Sequence, residues 1–281
     1  MMPPLFDMMF SHVAFDDESP HPAWGILSMV RILALNLRAG GNAGSIPQIV
    51  RHVAYLDAEV VVFSEYRDTR AGSLVRGELS RIGLSNQAFT PATRGNGVLV
   101  ASAAPLEALP NPFGLPENEC PNAILLARLP GLQVYGVYLP GQDRKRPHLR
   151  CLIAAARRHN AAGDRVICVG DLNSGRNETD IEINLRSGRL RDQFSTADLY
   201  HELEQEWTEA WAFLHPEQYE FSWYPFRRDP NYRSYAGWRI DKAFLSPKLL
   251  PRLKAAEYDH VFRLDGLSDH SALLVDLEPE E

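Results

Sequence analysis

Cysteine is scarce in this 281-residue chain: Cys120, Cys151 and Cys168 are odd in number and far apart. That excludes a disulfide-stapled scaffold. Two of the three lie in apolar segments, which predicts reduced core thiols and a cytoplasmic setting. Long hydrophobic runs are missing as well. No stretch approaches the roughly 20 apolar residues of a membrane span, and the first 28 residues lack the basic start and unbroken apolar core of a secretory leader. No membrane partner is expected, and nothing in the sequence implies a protein partner. Positive charge is not in excess: 29 Lys and Arg stand against 36 Asp and Glu, a net charge of −7. A general nucleic-acid binder is more often basic. Part of the imbalance is local, because residues 1–28 hold Asp7, Asp16, Asp17 and Glu18 with no Lys or Arg, leaving −3 for the rest.

What remains is the composition of an ordinary globular protein, long enough to bury a sizeable core. Residues 1–28 read as a loosely ordered extension and 29–281 as one domain. Val30 to Asn36 and Glu59 to Glu65 are apolar runs ending in a polar residue, the pattern of strands buried on both faces. Ile46 to Leu56 carries Ile46, Ile49, Val50, Val53 and Leu56 at helical spacing. A second helix is expected over Leu74 to Ile82, and a third over Pro147 to Asn160. Further strands are expected near 86–90, 97–102, 122–129, 132–138, 165–170, 219–224, 238–246, 256–263 and 272–277, with a Pro- and Gly-rich loop over 104–121. Helices alternating with strands, then strand-rich segments, predict an α/β sandwich of two sheets with helices outside.

The segment Val166-Ile167-Cys168-Val169-Gly170-Asp171-Leu172-Asn173 is the most informative. Alternate residues of an extended chain share a face, so Asp171 and Asn173 point the same way at a strand's end. A carboxylate and an amide together can hold and activate a water, and equally form an Asx turn that closes the strand. Other polar residues stand at comparable places. Asn36 and Glu65 close the first two strands, and Tyr138 ends Val134-Tyr135-Gly136-Val137-Tyr138. Asp241 lies in the apolar run Ile240 to Leu245, where an unpaired carboxylate is costly. Ser268-Asp269-His270 precedes the last strand.

The order of these residues, with Phe221-Ser222-Trp223-Tyr224 and Gly237-Trp238-Arg239-Ile240-Asp241 between them, resembles the endonuclease/exonuclease/phosphatase superfamily, and within it the exonuclease III-like nucleases and abasic-site endonucleases. The resemblance spans about Val30 to Leu277. It implies a four-layer α/β/β/α sandwich of two packed mixed sheets flanked by helices. It also implies roles: Glu65 and Asp269 as metal ligands, with Asn36 helping to arrange metal and phosphate. Tyr138 would stand by the scissile phosphate, Asp171 with Asn173 would orient water, and Asp241 would pair with His270. Two departures are visible. The first motif reads Asn36-Leu37-Arg38-Ala39-Gly40, and Tyr138-Leu139-Pro140 is followed by Gly141 where abasic-site enzymes commonly carry Asn. Both bear on abasic-site preference rather than on hydrolysis.

Four converging carboxylates need a cation: at an effective dielectric of about 20, two unit charges 4 Å apart cost about 4 kcal/mol. Oxygen ligands without thiolate favour Mg²⁺ or Mn²⁺. Substrate contacts are expected from Arg144 and Arg146, within a basic cluster that also holds Lys145, His148 and Arg150. Arg228, Arg233 and Arg239, about an aromatic loop, form a second group, and Trp223 and Trp238 are candidate aromatic walls. The expectation is a divalent-metal-dependent phosphodiesterase, foremost a DNA nuclease. A phosphatase or phosphodiesterase for a lipid, sugar or nucleotide phosphate is the alternative, and a catalytically silent binding protein the second.

Overall fold

The computed structural model describes residues 29–93, 95–182, 193–225 and 237–279. In chain order the strands and helices are β1 (Val30–Asn36), α1 (Ile46–Tyr55), β2 (Val60–Tyr66), α2 (Arg70–Arg81), β3 (Asn86–Phe89), β4 (Gly97–Ser102), β5 (Glu107–Pro110), β6 (Ile124–Leu129), β7 (Leu132–Tyr138), α3 (Arg146–Ala162), β8 (Val166–Asp171), α4 (Ala197–Glu206), β9 (Thr208–Glu209), α5 (Ala210–Leu214), β10 (Asp241–Leu245), β11 (Leu253–Asp259), α6 (Val261–Leu264) and β12 (Ala272–Leu277).

The strands form two six-stranded sheets, ordered β11-β12-β1-β2-β4-β3 and β5-β6-β7-β8-β10-β9. Each is mixed. β1 runs parallel to β2, and β7 parallel to β8, while the other pairings are antiparallel. The layering follows from period-two alternation. In β1, Ile32 and Ala34 point into the core between the sheets, whereas Leu33 and Leu35 join α1 and α2 residues on the outer face. In β8, Ile167 and Val169 face the central core, and Val166 and Cys168 face the layer formed with α3 and α4. Strands covered on both sides have no polar face, which is why their sequences are continuous apolar runs. The result is the expected four-layer α/β/β/α sandwich.

Several segments differ from the sequence reading. Residues 219–224 do not form a strand; Trp223 makes isolated bridges to Trp238 and His270, and Ser222 uses its hydroxyl on the Ile240 and Asp241 N–H groups. The aromatics suited a strand, but among the described residues the pairing does not extend beyond these bridges. The region 104–121 contains the exposed edge strand β5, which lacks an apolar signal because it has no buried face. The strand expected over 256–263 stops at Asp259, whose Oδ1 accepts the Val261 N–H (2.8 Å) and starts α6. Helix α2 begins earlier than its apolar stripe, at Arg70.

Two glycines shape the end of the sandwich where the site lies. A Cβ on Gly136 would sit 2.9 Å from Val98 and 3.0–3.1 Å from Val100 and Val62, so its absence lets β7 approach β2 and β4 closely. Gly170 has φ +137°, and a Cβ there would lie 2.2 Å from the Val137 carbonyl oxygen. No side chain fits at this position, one residue before Asp171. Among the described residues no helix is long and apolar enough to cross a membrane. The extension expected over 1–28 lies outside the described residues.

Candidate active site

The strand registers line up the polar strand ends. Tyr138 is opposite Asp171, and Asp171 opposite Asp241, so β7, β8 and β10 present three side chains in a row. On the other sheet Asn36 is opposite Ser64, next to Glu65. A register shift between Ser64 and Tyr66 leaves Glu65 as an extra residue with φ +54°. This is a β-bulge, a device that re-aims one side chain without ending the strand.

Polar contacts then join the sheets. Ser64 Oγ donates to the Val137 carbonyl (2.8 Å) and accepts the Asp171 N–H (3.2 Å). Asn36 Nδ2 donates to Asp171 Oδ2 (3.0 Å), and Asn36 Oδ1 accepts the Arg38 N–H (2.8 Å). Asn173 donates to the same carboxylate twice, from its backbone N (2.9 Å) to Oδ1 and from Nδ2 (3.1 Å) to Oδ2. Asp171 is thus a buried carboxylate held by two amides. Burial, together with the Asp241 and Glu65 charges and against the attraction of His270, pushes it up to about 7.

His270 Nδ1 lies 2.8 Å from Asp241 Oδ2. A carboxylate can only accept, so Nδ1 carries a proton and Nε2 is the ring's other working nitrogen. Burial would lower the imidazole, but the Asp241 charge and hydrogen bond outweigh it and raise His270 to about 9. At neutral pH the ring is therefore a cation and a donor. Ser268 fixes its backbone: Ser268 Oγ donates to the Asn36 carbonyl (2.7 Å) and accepts the His270 N–H (3.1 Å). Tyr138 Oη accepts from Asn96 Nδ2 (3.2 Å), and the Glu65 carboxylate is near enough for its charge to act on the phenol. Burial and the Glu65 charge push its phenol well above the ordinary tyrosine value.

The sequence-derived site residues Asn36, Tyr138, Asp171, Asn173, Asp241 and His270 thus converge, with Glu65 beside Tyr138. Asp269 accepts the Trp223 indole N–H (3.1 Å), and the Trp223 ring stands 6.4 Å from His270. Trp238 packs edge-on against Phe194 and Trp223. The arginines are placed otherwise than expected. Arg146 is tied to Asp143, Asp198 and the Ser195 carbonyl, and Arg144 donates to Cys120 Sγ (2.8 Å). Arg239 is a correction: it is buried in ion pairs with Asp180 and Glu209, so its guanidinium is already neutralised inside the protein and is not presented to a substrate. Arg228 and Arg233 lie outside the described residues.

Several residues have parts at the site that their sequence context does not announce. Ser64 looks like an incidental small polar residue, Ser268 stands out only as the start of Ser268-Asp269-His270, and Asn96 lies between two glycines. Lys145 drew notice only as one of a basic run. Its buried Nζ donates to the Asn173 carbonyl, and burial pulls it down to about 8 despite the attraction of Asp171.

Among the described residues no three His, Cys, Asp or Glu side chains form a group that could hold an ion alone. The donors near Asp171 are carboxylate and amide oxygens with no thiolate. That set fits a hard cation of the Mg²⁺ type, which keeps several waters and is completed by substrate phosphate. Asn36 Oδ1, although engaged by Arg38, retains a second lone pair.

Fold and site together define a class: a two-sheet α/β/β/α sandwich with a carboxylate–amide–histidine centre where its sheets are stitched together. Residues 33–270 match the Endonuclease/Exonuclease/phosphatase family, and the chain belongs to it. Comparison with curated protein sequences finds no significant match. Similar solved structures include a 3′ phosphatase, NExo, from Neisseria bound to product DNA hairpin. It is 18% identical, with 89% of this chain and 99% of that chain covered and a TM-score of 0.72. An AP endonuclease from Archaeoglobus fulgidus is 19% identical over 88% of this chain and 98% of that one, with a TM-score of 0.71. The AP endonuclease LMAP from Leishmania major is 15% identical over 89% and 88%, with a TM-score of 0.68. At these identities the likeness is one of fold.

Proposed function

We propose that this protein is a divalent-metal-dependent phosphodiester hydrolase acting on DNA, of the exonuclease III-like type. The observation that supports it most is the buried Asp171, gripped by Asn36 and Asn173 beside the Asp241–His270 pair. Hydrolysis of a phosphodiester needs a group to orient and deprotonate water, and donors for the charge that grows on the phosphoryl oxygens. Asp171, raised to about 7, is matched to the first task near neutral pH. His270, a cation held in orientation by Asp241, is matched to the second. Tyr138 is a further donor toward the phosphate. Glu65, Asp269 and Asn36 would hold Mg²⁺ or Mn²⁺, which when bound supplies Lewis-acid stabilisation of the phosphate and the leaving oxygen. Trp223 and Trp238 would line the substrate side.

A second reading, a phosphatase or phosphodiesterase for a small phosphate ester, is favoured by one observation: Arg146 is committed to Asp143 and Asp198 rather than held ready for a DNA backbone. One panel separates the two. Labelled duplex, single-stranded and abasic DNA, RNA and small phosphodiesters are each tested with Mg²⁺, Mn²⁺ or EDTA. The expected result is EDTA-sensitive cleavage of DNA, lost in Asp171→Asn. Absence of EDTA-sensitive cleavage of any nucleic acid would sink the nuclease reading, and turnover of small esters alone would establish the second.

A further inference from the structure

Arg67, Asn96, Tyr138 and Glu65 form a chain at the rim of the site that its catalytic residues do not explain. Arg67 Nε lies 2.7 Å from Asn96 Oδ1 and Asn96 Nδ2 lies 3.2 Å from Tyr138 Oη, while the nearby Glu65 carboxylate acts on the phenol through its charge. The backbone explains the meeting. β2 and β4 pair with Tyr66 opposite Gly97, so the residues one step outward, Arg67 and Asn96, come to lie side by side.

We infer that Asn96, locked by Arg67, is a positioning residue that compels the Tyr138 hydroxyl to act as a donor into the site. A guanidinium has donors alone, so the amide atom facing Arg67 is the oxygen and the atom facing Tyr138 is the NH₂. The amide cannot flip without setting donor against donor. Tyr138 Oη must therefore accept from Asn96, and its single proton points away from Asn96, free to meet a phosphoryl oxygen in the site. The guanidinium also polarises the amide, which strengthens the next bond in the chain. An isolated phenol could turn its proton either way. Asn96 removes that freedom before substrate arrives, so the donor is preorganised. The inference rests on the proposed placing of Tyr138 beside the phosphate.

Asn96→Asp tests it, because the carboxylate keeps the shape and the Arg67 contact while losing the donor to Tyr138. On labelled duplex DNA with Mg²⁺, kcat is expected to fall roughly tenfold with KM within about twofold, the pattern of an interaction made in the transition state. In a Tyr138→Phe background the same substitution is expected to cost nothing further. Arg67→Met is expected to give a smaller kcat loss, also absent in that background. Equal losses with and without the Tyr138 hydroxyl, or a rise in KM alone, overturn the inference. A second readout does not need turnover: with tyrosine labelled at Cζ with carbon-13, the Tyr138 resonance is identified by its disappearance in Tyr138→Phe. It is expected to shift in Asn96→Asp. A resonance that stays in place overturns the inference whatever the activity, whereas an inactive native protein with a shifted resonance counts against the proposed function alone.

Discussion

Replacing Asp180 by Asn strips the charge from the centre of a buried ionic cluster while leaving its shape. Asp180 Oδ1 accepts from Arg239 Nη2 (2.5 Å), and Oδ2 accepts from Lys242 Nζ (2.8 Å) and the Arg176 N–H (2.8 Å). Arg239 also reaches Glu209 (2.7 Å) and stacks over Trp211, with its carbon 4.3 Å from the ring centre. All four ionic side chains are buried. With Asp180 neutral, two cations share the single carboxylate of Glu209. Leaving a buried charge uncompensated costs about 3–5 kcal/mol. Protonation gives a smaller, independent figure. Burial alone would raise Asp180, but Lys242 and Arg239 overcome it and hold its carboxyl at about 2, against an ordinary 3.8. At 1.36 kcal/mol per unit that difference is worth about 2 kcal/mol. A depressed carboxyl contributes stability that is full above the unfolded value and lost as pH falls through the folded one. The Asp180 contribution is therefore expected to be complete above about pH 5, about half gone by pH 3 and absent below pH 2. The assay is urea unfolding, followed by tryptophan fluorescence, of the native protein and Asp180→Asn at several pH values. A gap of at least 2 kcal/mol at pH 7 that narrows by pH 3 is expected. A gap under 1 kcal/mol, or one that does not change with pH, would refute the reasoning. The cluster also has a functional address. It ties the segment after Asn173 to the run that leads into β10, because Arg239 N donates to the Asp180 carbonyl (2.9 Å) two residues before Asp241.

Four further substitutions have expected outcomes. His270→Ala lowers turnover roughly 10²–10⁴-fold, the usual worth of a positioned proton donor. Asp241→Asn lowers it comparably, and the double variant is little worse than either because the pair acts as a unit; single-turnover rates at saturating Mg²⁺ decide this, and a loss below threefold refutes it. Gly170→Ala destabilises by at least about 2 kcal/mol in urea unfolding, since it adds both a left-handed backbone penalty and a collision with the Val137 carbonyl. Ala39→Gly acts oppositely: Ala39 sits at φ +57°, and relief of that strain raises stability by up to about 1 kcal/mol, read as a higher unfolding midpoint.

The layered fold was legible because doubly covered strands cannot hide their apolar runs. The same property exposed the site. A polar residue that ends such a run, as Asn36, Glu65, Tyr138 and Asp171 do, has little reason to be there unless it meets polar partners from elsewhere in the fold. What could not be read were relations between strands of different sheets. Nothing in Phe63-Ser64-Glu65 says that the serine will bond to β7 and β8, and nothing in Asn96 says that it will meet Tyr138. Arg239 misled for a similar reason. Its neighbours are aromatic and basic, the signature of a phosphate-binding loop, but its partners Asp180 and Glu209 are 59 and 30 residues away. The expected strand at 219–224 failed because strand propensity describes a residue's fit to a sheet and not the existence of a partner strand.

The centre is built from two sheets, and packed sheets ordinarily stand about 10 Å apart, too far for a short amide on one to reach a carboxylate on the other. Here they are drawn together at one end. Gly136 removes the side chain that would hold β7 off β2 and β4, and Ser64 bridges the narrowed gap to the Val137 carbonyl and the Asp171 N–H. Asp171, the last residue of β8, shares the inward face of Ile167 and Val169 and so meets Asn36 across the gap. The contact between Asn36 and Asp171 is therefore a consequence of core packing rather than of local sequence around either residue. Asn173, two residues from Asp171, holds the carboxylate from its own strand end, while Asn36 holds it from the opposite sheet. A carboxylate fixed from both sheets keeps its orientation only while the sheets keep their spacing, so the chemistry of this site depends directly on the integrity of the core beneath it.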